Sequence, residues 1–184
     1  MVEYISLGTN CAVSYQLKKY GLRKEAYPFD WCNVNFKNLL NVLENNFIDY
    51  NELEIKKFST NHLHIDTSIG TYILKNKYGI TFAHEVLDNS TLDLFSNTLH
   101  RRIERFKKLT DNQIKIVFIR IELEEKITNY DELIKLLENY IQNFKLIIIC
   151  KNNDNKINDK ITYYQLPNFI DWKFDNFNWS NIFL

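Results

Sequence analysis

The chain has 184 residues, and a typical domain has roughly 150, so we expect a single domain over residues 1–184. Hydrophobic residues make up 45% of it and aromatic residues 15%, which argues against disorder, while only 4 Gly and 2 Pro exclude collagen-like and linker-dominated architectures. The 23 Lys and Arg equal the 23 Asp and Glu, so the net charge is zero and provides no basic field for nucleic acid. We expect a small-molecule or peptide partner and no nucleic-acid partner.

Strand and helix patterns alternate along the chain. Strands are predicted where apolar and β-branched residues run together, and helices where apolar residues recur every three or four positions. In chain order, the predictions are a strand over 2–7, helices over 11–20 and 36–47, strands over 71–74 and 80–84, a helix over 90–109, a strand over 114–121, a helix over 131–143, and strands over 145–150 and 161–166. Residues 48–70 show no clean period and are predicted to be irregular.

These elements predict an α/β fold, a single domain with a mixed, partly parallel sheet flanked by helices. The strand over 114–121, the helix over 131–143 and the strand over 145–150 form a βαβ unit, whose crossover should be right-handed. The strands over 71–74 and 80–84 predict an antiparallel hairpin with a glycine near its turn. Because of this hairpin, an α+β fold remains the alternative.

The sequence predicts a cytoplasmic protein with no membrane partner. Its first residues lack the basic and apolar regions of a secretory signal, and no apolar run approaches the roughly 18–20 residues that span a bilayer. Cys11, Cys32 and Cys150 are an odd number of cysteines at wide spacings, which is a poor framework for disulfides.

Cys11 follows the predicted first strand and lies in the first turn of the predicted first helix. A thiol there feels the partial positive charge of the helix N-terminus, which favours the thiolate and lowers the pKa. Cys11 is therefore a candidate nucleophile, and burial as a small hydrophobic residue is the alternative. Gly8, Thr9 and Asn10 precede it in a loop that can receive a phosphate or carboxylate group at the same helix N-terminus.

A thiol nucleophile needs a base, and His84 is the histidine that ends a well-defined predicted strand. It shares a strand face with Ile80 and Phe82, so a hydrogen-bonded core histidine is the alternative. His62 and His64 have a spacing that hints at metal binding, but no further Cys or His pair lies at ligand spacing. We therefore predict no metal and no cofactor.

The segment YPFDW, residues 27–31, places Asp30 between two aromatic residues, Phe29 and Trp31. A carboxylate there either orients the imidazole of a catalytic histidine or accepts hydrogen bonds from backbone amides of its loop. If the protein is not an enzyme, Trp31 is a candidate residue for lining a ligand pocket.

Arg120 interrupts the otherwise apolar strand over 114–121. A buried arginine needs a carboxylate or a bound anion as its partner. Glu122 on the same strand face is the simplest carboxylate, and a ligand anion is the other possibility, which makes Arg120 a candidate ligand-binding residue.

Four segments, ISLGTNCAVSYQLKKYGLRKEAYPFDW, YGITFAHEV, RRIERFKKL and IKIVFIRIE, resemble a family of bacterial and viral domains of unknown function described as papain-like cysteine peptidases. The most specific part is S-L-G-x-N-C followed by P-F-D-W. The resemblance covers most of the chain and implies a papain-like α+β alternative for the fold. The peptidase description of that family is itself a prediction.

The resemblance implies that Cys11 is the nucleophile and His84 the base, in the chain order of papain-like enzymes. Aspartate commonly follows this histidine in the family, whereas Glu85 stands there in this chain. The residue that orients the imidazole therefore remains open among Asp30, Glu85 and Asp175. Asn10, which directly precedes Cys11, is a candidate for stabilising an oxyanion through its side-chain amide or the adjacent backbone.

Two functional hypotheses follow. The first is a cysteine-dependent hydrolase or acyltransferase that uses a dyad of Cys11 and His84. The second is a non-catalytic pocket protein that binds a nucleotide, a sugar or another anionic small ligand at the loop over residues 8–11.

The C-terminal tail over 169–184 is unusually aromatic. Its sequence FIDWKFDNFNWSNIF carries six large aromatic residues within fifteen positions. An exposed tail of this composition would leave a very large apolar area in water, so we expect it to pack on the domain.

Overall fold

The structure is a computed structural model that describes residues 2–57, 72–83, 89–111, 114–123, 127, 129–151 and 158–183. The strands are β1 (Val2–Ser6), β2 (Cys32–Asn33), β3 (Leu53–Lys57), β4 (Tyr72–Asn76), β5 (Thr81–Phe82), β6 (Lys115–Glu122), β7 (Phe144–Cys150) and β8 (Ile161–Gln165). The helices are α1 (Ala12–Lys19), α2 (Phe36–Glu44), α3 (Asn89–Lys107) and α4 (Asp131–Glu138), and short 3-10 turns lie at Lys108–Asp111 and Trp179–Asn181.

The first sheet has four parallel strands in the order β1-β6-β7-β8. Its middle strands β6 and β7 are buried on both faces, which their aliphatic and β-branched residues favour in a parallel sheet. In β6, Ile116 and Phe118 point into one apolar layer, and Val117 and Ile119 point into the other. Because α4 connects β6 to β7, the predicted βαβ unit is confirmed.

The second sheet is antiparallel, with the order β2-β5-β4-β3. At the turn between β4 and β5, Gly79 has a φ of +76° and donates its amide to the carbonyl of Asn76 at 2.9 Å. The α/β prediction is confirmed, and the antiparallel strands form a sheet of their own.

Several predicted boundaries differ from the structure. The helices predicted over 36–47 and 131–143 end earlier, at Glu44 and Glu138, and the two-residue strand β2 is not predicted. The irregular segment predicted over 48–70 is wrong over Leu53–Lys57, because this charged edge strand is stabilised by pairing with β4 rather than by a hydrophobic pattern. The strand predicted over 80–84 is observed at Thr81–Phe82, and His84 lies outside the described residues.

The parallel sheet separates two apolar layers. One face carries α1 and the C-terminal segment, residues 166–183, and the other face carries α2, α3, α4 and the second sheet. In the second layer, the ring of Phe106 from α3 contacts those of Phe29, Phe47, Phe118 and Tyr140. The parallel strands present their carboxyl ends at one common edge, where α/β proteins bind ligands.

The C-terminal segment packs against α1 and the parallel sheet. Phe174, Trp179 and Ile182 are buried in one cluster with Val13 and Leu17 of α1. The indole N–H of Trp179 donates to the carbonyl of Phe174 at 2.9 Å, so its one polar group is satisfied. The first helix is thereby enclosed between the sheet and this segment.

Removing the buried part of the C-terminal segment should therefore unfold the protein. We expect Trp179→Ala to lower the free energy of unfolding by about 3–5 kcal/mol, as for other fully buried aromatic residues. Deleting residues 170–184 should abolish cooperative unfolding in a urea titration. Ile170→Ala is the control, because a side chain that is 71% exposed should change stability by only about 0.5 kcal/mol. A truncated chain that still unfolds cooperatively would contradict this prediction.

Candidate functional site

The loop that follows β1 has a fixed backbone. Gly8 has a φ of +77° and Thr9 a φ of +83°, both in the left-handed region that side chains disfavour. A Cβ on Gly8 would stand 2.2 Å from Cγ1 of Val34, so the close approach of the two segments also requires glycine. The side-chain oxygen of Asn10 accepts the amide of Ala12 at 3.0 Å, which directs the chain into α1.

This loop places Cys11 at the N-cap of α1, with a half-buried side chain. Its carbonyl accepts the first helical hydrogen bond, from the amide of Tyr15 at 2.9 Å. Burial raises the pKa of the Cys11 thiol to about 12. The lowered pKa expected from the helix N-terminus is therefore wrong, because desolvation of the thiolate outweighs the partial charge of a short helix. At neutral pH the group is a thiol.

Cys32 lies beside the same loop. Its sulfur is 3.4 Å from the place of a Cβ on Gly8, and its S–H donates to the carbonyl of Phe29 at 3.2 Å. Burial raises the pKa of the Cys32 thiol, and the neighbouring Cys11 raises it further. Because Cys32 is completely buried, Cys11 is the thiol of this pair that a substrate can reach.

Asp30 is a buried carboxylate that holds three parts of the chain together. One oxygen accepts the hydroxyl of Ser14 at 3.0 Å, and the other accepts the amide of Tyr27 and Nε of Arg23, each at 3.1 Å. The hydroxyl of Ser14 in turn accepts the amide of Trp31 at 3.2 Å, where the backbone has a φ of +58°. Asp30 thus fixes its own loop and attaches it to the first turn of α1.

The described contacts of Asp30 give it the second of its two expected roles, acceptance of hydrogen bonds from its own loop. The other expected role, orienting the imidazole of His84, involves a residue that lies outside the described part of the chain. Trp31 is half-buried, and the hydrogen bond from its backbone amide to Ser14 places it beside α1. Sequence reasoning missed Ser14, although its position three residues after Cys11 puts both side chains near one face of the helix.

Arg120 is completely buried and joins the ends of three segments. Its Nε and Nη2 donate to the two carboxylate oxygens of Glu122 at 2.5 and 3.3 Å, which is the partner expected from the sequence. Nη1 donates to the carbonyl of Leu7 at 3.0 Å, and Nη1 and Nη2 both donate to that of Val34 at 3.3 Å. These bonds use all five N–H groups of a guanidinium, so Arg120 positions the two loops and has no donor left for a ligand anion.

A cavity of about 160 Å³ lies beside this network, with room for several water molecules. Its lining comes from Thr9, Asn33, Val34, Asn35, Arg120, Glu122 and Leu123. The hydroxyl oxygen of Thr9 is buried and has no hydrogen-bond partner in the described part of the chain. Because the two charges in the wall neutralise each other, the cavity suits a neutral polar group better than an anion.

The described residues contain neither a metal-binding cluster nor a membrane-spanning helix. Among them, no three His, Cys, Asp or Glu side chains cluster closely enough to hold a metal ion. None of the helices within the described ranges is long and apolar enough to cross a bilayer. His62 and His64 lie outside these ranges.

Fold and site together define an α/β protein with a cysteine where its first parallel strand leads into its first helix. The family model described as "Putative papain-like cysteine peptidase (DUF1796)" matches residues 2–153, and the chain belongs to this family. The uncharacterized protein R408 of Acanthamoeba polyphaga mimivirus is 34% identical over 215 residues, covering 98% of this chain and 96% of the viral protein. No solved structure matches the chain. The family resemblance stated from the sequence is confirmed.

Removing the guanidinium should cost much of the stability of the fold. In Arg120→Leu, the Glu122 carboxylate stays buried without its cation and two carbonyls lose their donors, so we expect unfolding free energy to fall by about 3–5 kcal/mol. Urea denaturation measures this loss. The double variant Arg120→Leu/Glu122→Leu should recover part of it, since no charge remains buried. An Arg120→Leu protein as stable as the parent would show that this network is not structurally important.

The raised pKa of Cys11 should be visible in its alkylation. An ordinary thiol with a pKa of about 8.5 reaches its maximal rate with iodoacetamide near pH 9–10. The rate at Cys11 should be far lower at pH 7 and should still rise about tenfold per pH unit beyond pH 9, since the pKa is raised to about 12. Site-resolved mass spectrometry measures the rate at Cys11, with N-acetylcysteine as the reference. A plateau at or below pH 9 would contradict the prediction.

Proposed function

We propose that this protein is a cysteine-dependent hydrolase or acyltransferase in which Cys11 is the nucleophile and His84 is the base. The observation that carries the proposal is the place of Cys11, half-buried at the start of α1 and at the carboxyl edge of the parallel sheet. Membership of a family described as papain-like peptidases supports the same chemistry. The substrate is a peptide or a small acyl compound, and the reducing cytoplasm would keep Cys11 reduced.

The protonated state of Cys11 selects one of two cysteine mechanisms. Papain-type enzymes hold a thiolate with a strongly lowered pKa before substrate binds. Here burial favours the neutral thiol, so the proton must leave as sulfur attacks the carbonyl carbon. His84 would accept that proton and return it to the leaving group, and water would then release the acyl group from sulfur.

The path of β5 supports His84 as the base. Phe82 of β5 pairs with Cys32 of β2, which directly follows Trp31 in the chain. That segment is attached to α1 one turn from Cys11, through Ser14. His84 follows Phe82 by two residues, a distance that chain geometry limits to about 7 Å.

The start of α1 offers donors for an oxyanion. The first amides of a helix have no acceptor within the helix, and they carry its partial positive charge. The amide of Ala12 is used by the side-chain oxygen of Asn10, which leaves the side-chain NH2 of Asn10 and the backbone N–H of Cys11 for this role. Asp30 acts as a positioning residue, because its three bonds fix the loop against α1.

Formation of an acyl-enzyme tests the proposal directly. We expect p-nitrophenyl acetate to acetylate Cys11 in the parent protein, detected as one added acetyl group on the peptide that contains this residue. Cys11→Ala should lose the modification, and His84→Gln should slow it at least about a thousandfold at pH 7. Cys150→Ala is the matched control and should react like the parent. Acetylation that is absent from Cys11 or independent of His84 would overturn the mechanism.

The cavity beside Thr9 supports a second candidate function, the binding of a small ligand without catalysis. Its polar lining and the buried Thr9 hydroxyl suit a neutral hydroxyl-bearing compound such as a sugar. An anionic ligand is less well supported, since the N–H groups of Arg120 already donate to Glu122 and to backbone carbonyls. A rise in melting temperature with a sugar, lost in Thr9→Val while Cys11→Ala keeps it, would favour this function.

A further inference from the structure

The face of α1 that carries Cys11 also carries an aromatic residue one turn further on. Tyr15 is four residues after Cys11, and such pairs have Cβ atoms about 5–6 Å apart on one helix face. Helical side chains lean toward the N-terminus, which directs the side chain of Tyr15 toward the turn that begins at Cys11. The ring is half-buried.

The C-terminal segment brings a second ring and a positive charge to the same place. Trp172 packs edge-to-face on Tyr15, with ring centroids 5.3 Å apart. The ammonium of Lys173 lies 5.7 Å from the centroid of Tyr15 and 5.8 Å from that of Trp172. We call these three residues the aromatic shelf.

The aromatic shelf is held rigidly by backbone contacts. The side-chain amide of Gln16 in α1 donates to the carbonyl of Lys173 at 2.7 Å, and the amide of Lys173 donates to Asp171 at 2.8 Å. A surface fixed in this way loses little entropy when it binds a ligand.

Apolar surface continues from the aromatic shelf into the preceding residues. Phe169 is 48% exposed and Ile170 is 71% exposed, although Phe174 and Trp179 of the same segment are buried. Contiguous exposed apolar surface on a folded protein is typical of a binding site. Trp172 also lies beyond residues 2–153, so the family match does not account for this surface.

We propose that the aromatic shelf is a substrate subsite that binds an aromatic or large aliphatic side chain of the acyl group attacked by Cys11. This inference rests on the proposed function, because the surface is a substrate subsite only if Cys11 is the nucleophile. Lys173 lies over both rings, so the subsite accepts neutral or acidic groups and rejects cationic ones by like-charge repulsion. Peptides with Phe or Leu next to the scissile bond fit this surface, and peptides with Lys or Arg there do not.

Alkylation of Cys11 by three related probes tests the subsite without needing turnover. Iodoacetamide, N-(2-phenylethyl)iodoacetamide and N-(2-aminoethyl)iodoacetamide share one reactive group, and each rate is divided by that with N-acetylcysteine. Ratios between probes then do not depend on the pKa of the thiol. We expect the phenylethyl probe to react roughly tenfold faster than iodoacetamide, and the aminoethyl probe to react more slowly than iodoacetamide.

Variants assign these ratios to the aromatic shelf. Trp172→Ala should bring the phenylethyl ratio close to one, and urea denaturation of this variant checks that it remains folded. Lys173→Ala should raise the relative rate of the aminoethyl probe. Tyr20→Ala, an exposed aromatic position just beyond the far end of α1, is the matched control and should change neither ratio.

The outcomes separate this inference from the proposed function. A phenylethyl ratio near one in the parent, or one that Trp172→Ala leaves high, overturns the subsite. If the ratio behaves as expected but p-nitrophenyl acetate forms no acyl-enzyme on Cys11, the surface binds apolar groups and the hydrolase proposal fails. If the acyl-enzyme forms and the ratio is flat, the hydrolase stands and the subsite alone is wrong.

Discussion

The buried guanidinium of Arg120 is the interaction on which the site depends. A fully buried cation is tolerated only when its hydrogen bonds are satisfied, and here the partners come from the ends of separate segments. Leu7 follows the first parallel strand, Val34 follows the first antiparallel one, and Glu122 is the last residue of β6. Satisfying one charge therefore fixes the relative position of both sheets. The same approach brings Val34 so close to Gly8 that only glycine fits, which sets the turn before Cys11.

This packing has a chemical consequence for the thiol. The loop and the segment after Asp30 enclose Cys11 on the protein side, and the desolvation that follows raises its pKa to about 12. A rigid loop thus orients the sulfur but also removes the water that would stabilise a thiolate. In the proposed mechanism the cost is offset by coupling proton removal to attack, so that a full negative charge never rests on sulfur in the enclosed site.

The features that the sequence predicts are those with a local or periodic cause. β-branched runs identify β6 and β7, and the period of two places Glu122 on the face of Arg120, where the pair is observed. The sequence does not predict the edge strand β3, because the strand is short and depends on pairing with β4. The sequence does not predict the hydrogen bond between Ser14 and Asp30 either, since the two residues are sixteen positions apart and no local pattern connects them. The pKa of Cys11 is a property of burial, which tertiary packing decides, whereas the helix N-terminus alone suggested the opposite direction.

The description papain-like fits this family member through the order of two residues along the chain more than through its architecture. The order of Cys11 before His84 is that of papain-like enzymes, but Cys11 follows a strand of a parallel sheet whose neighbours are joined by a βαβ unit. Parallel sheets place reactive groups at the carboxyl ends of their strands, where loops can vary without disturbing the core. The C-terminal segment illustrates this freedom, because Trp179 secures it in the core while Trp172 reaches the first turn of α1. A segment outside the family match can thereby shape the surface beside a cysteine that the family match includes.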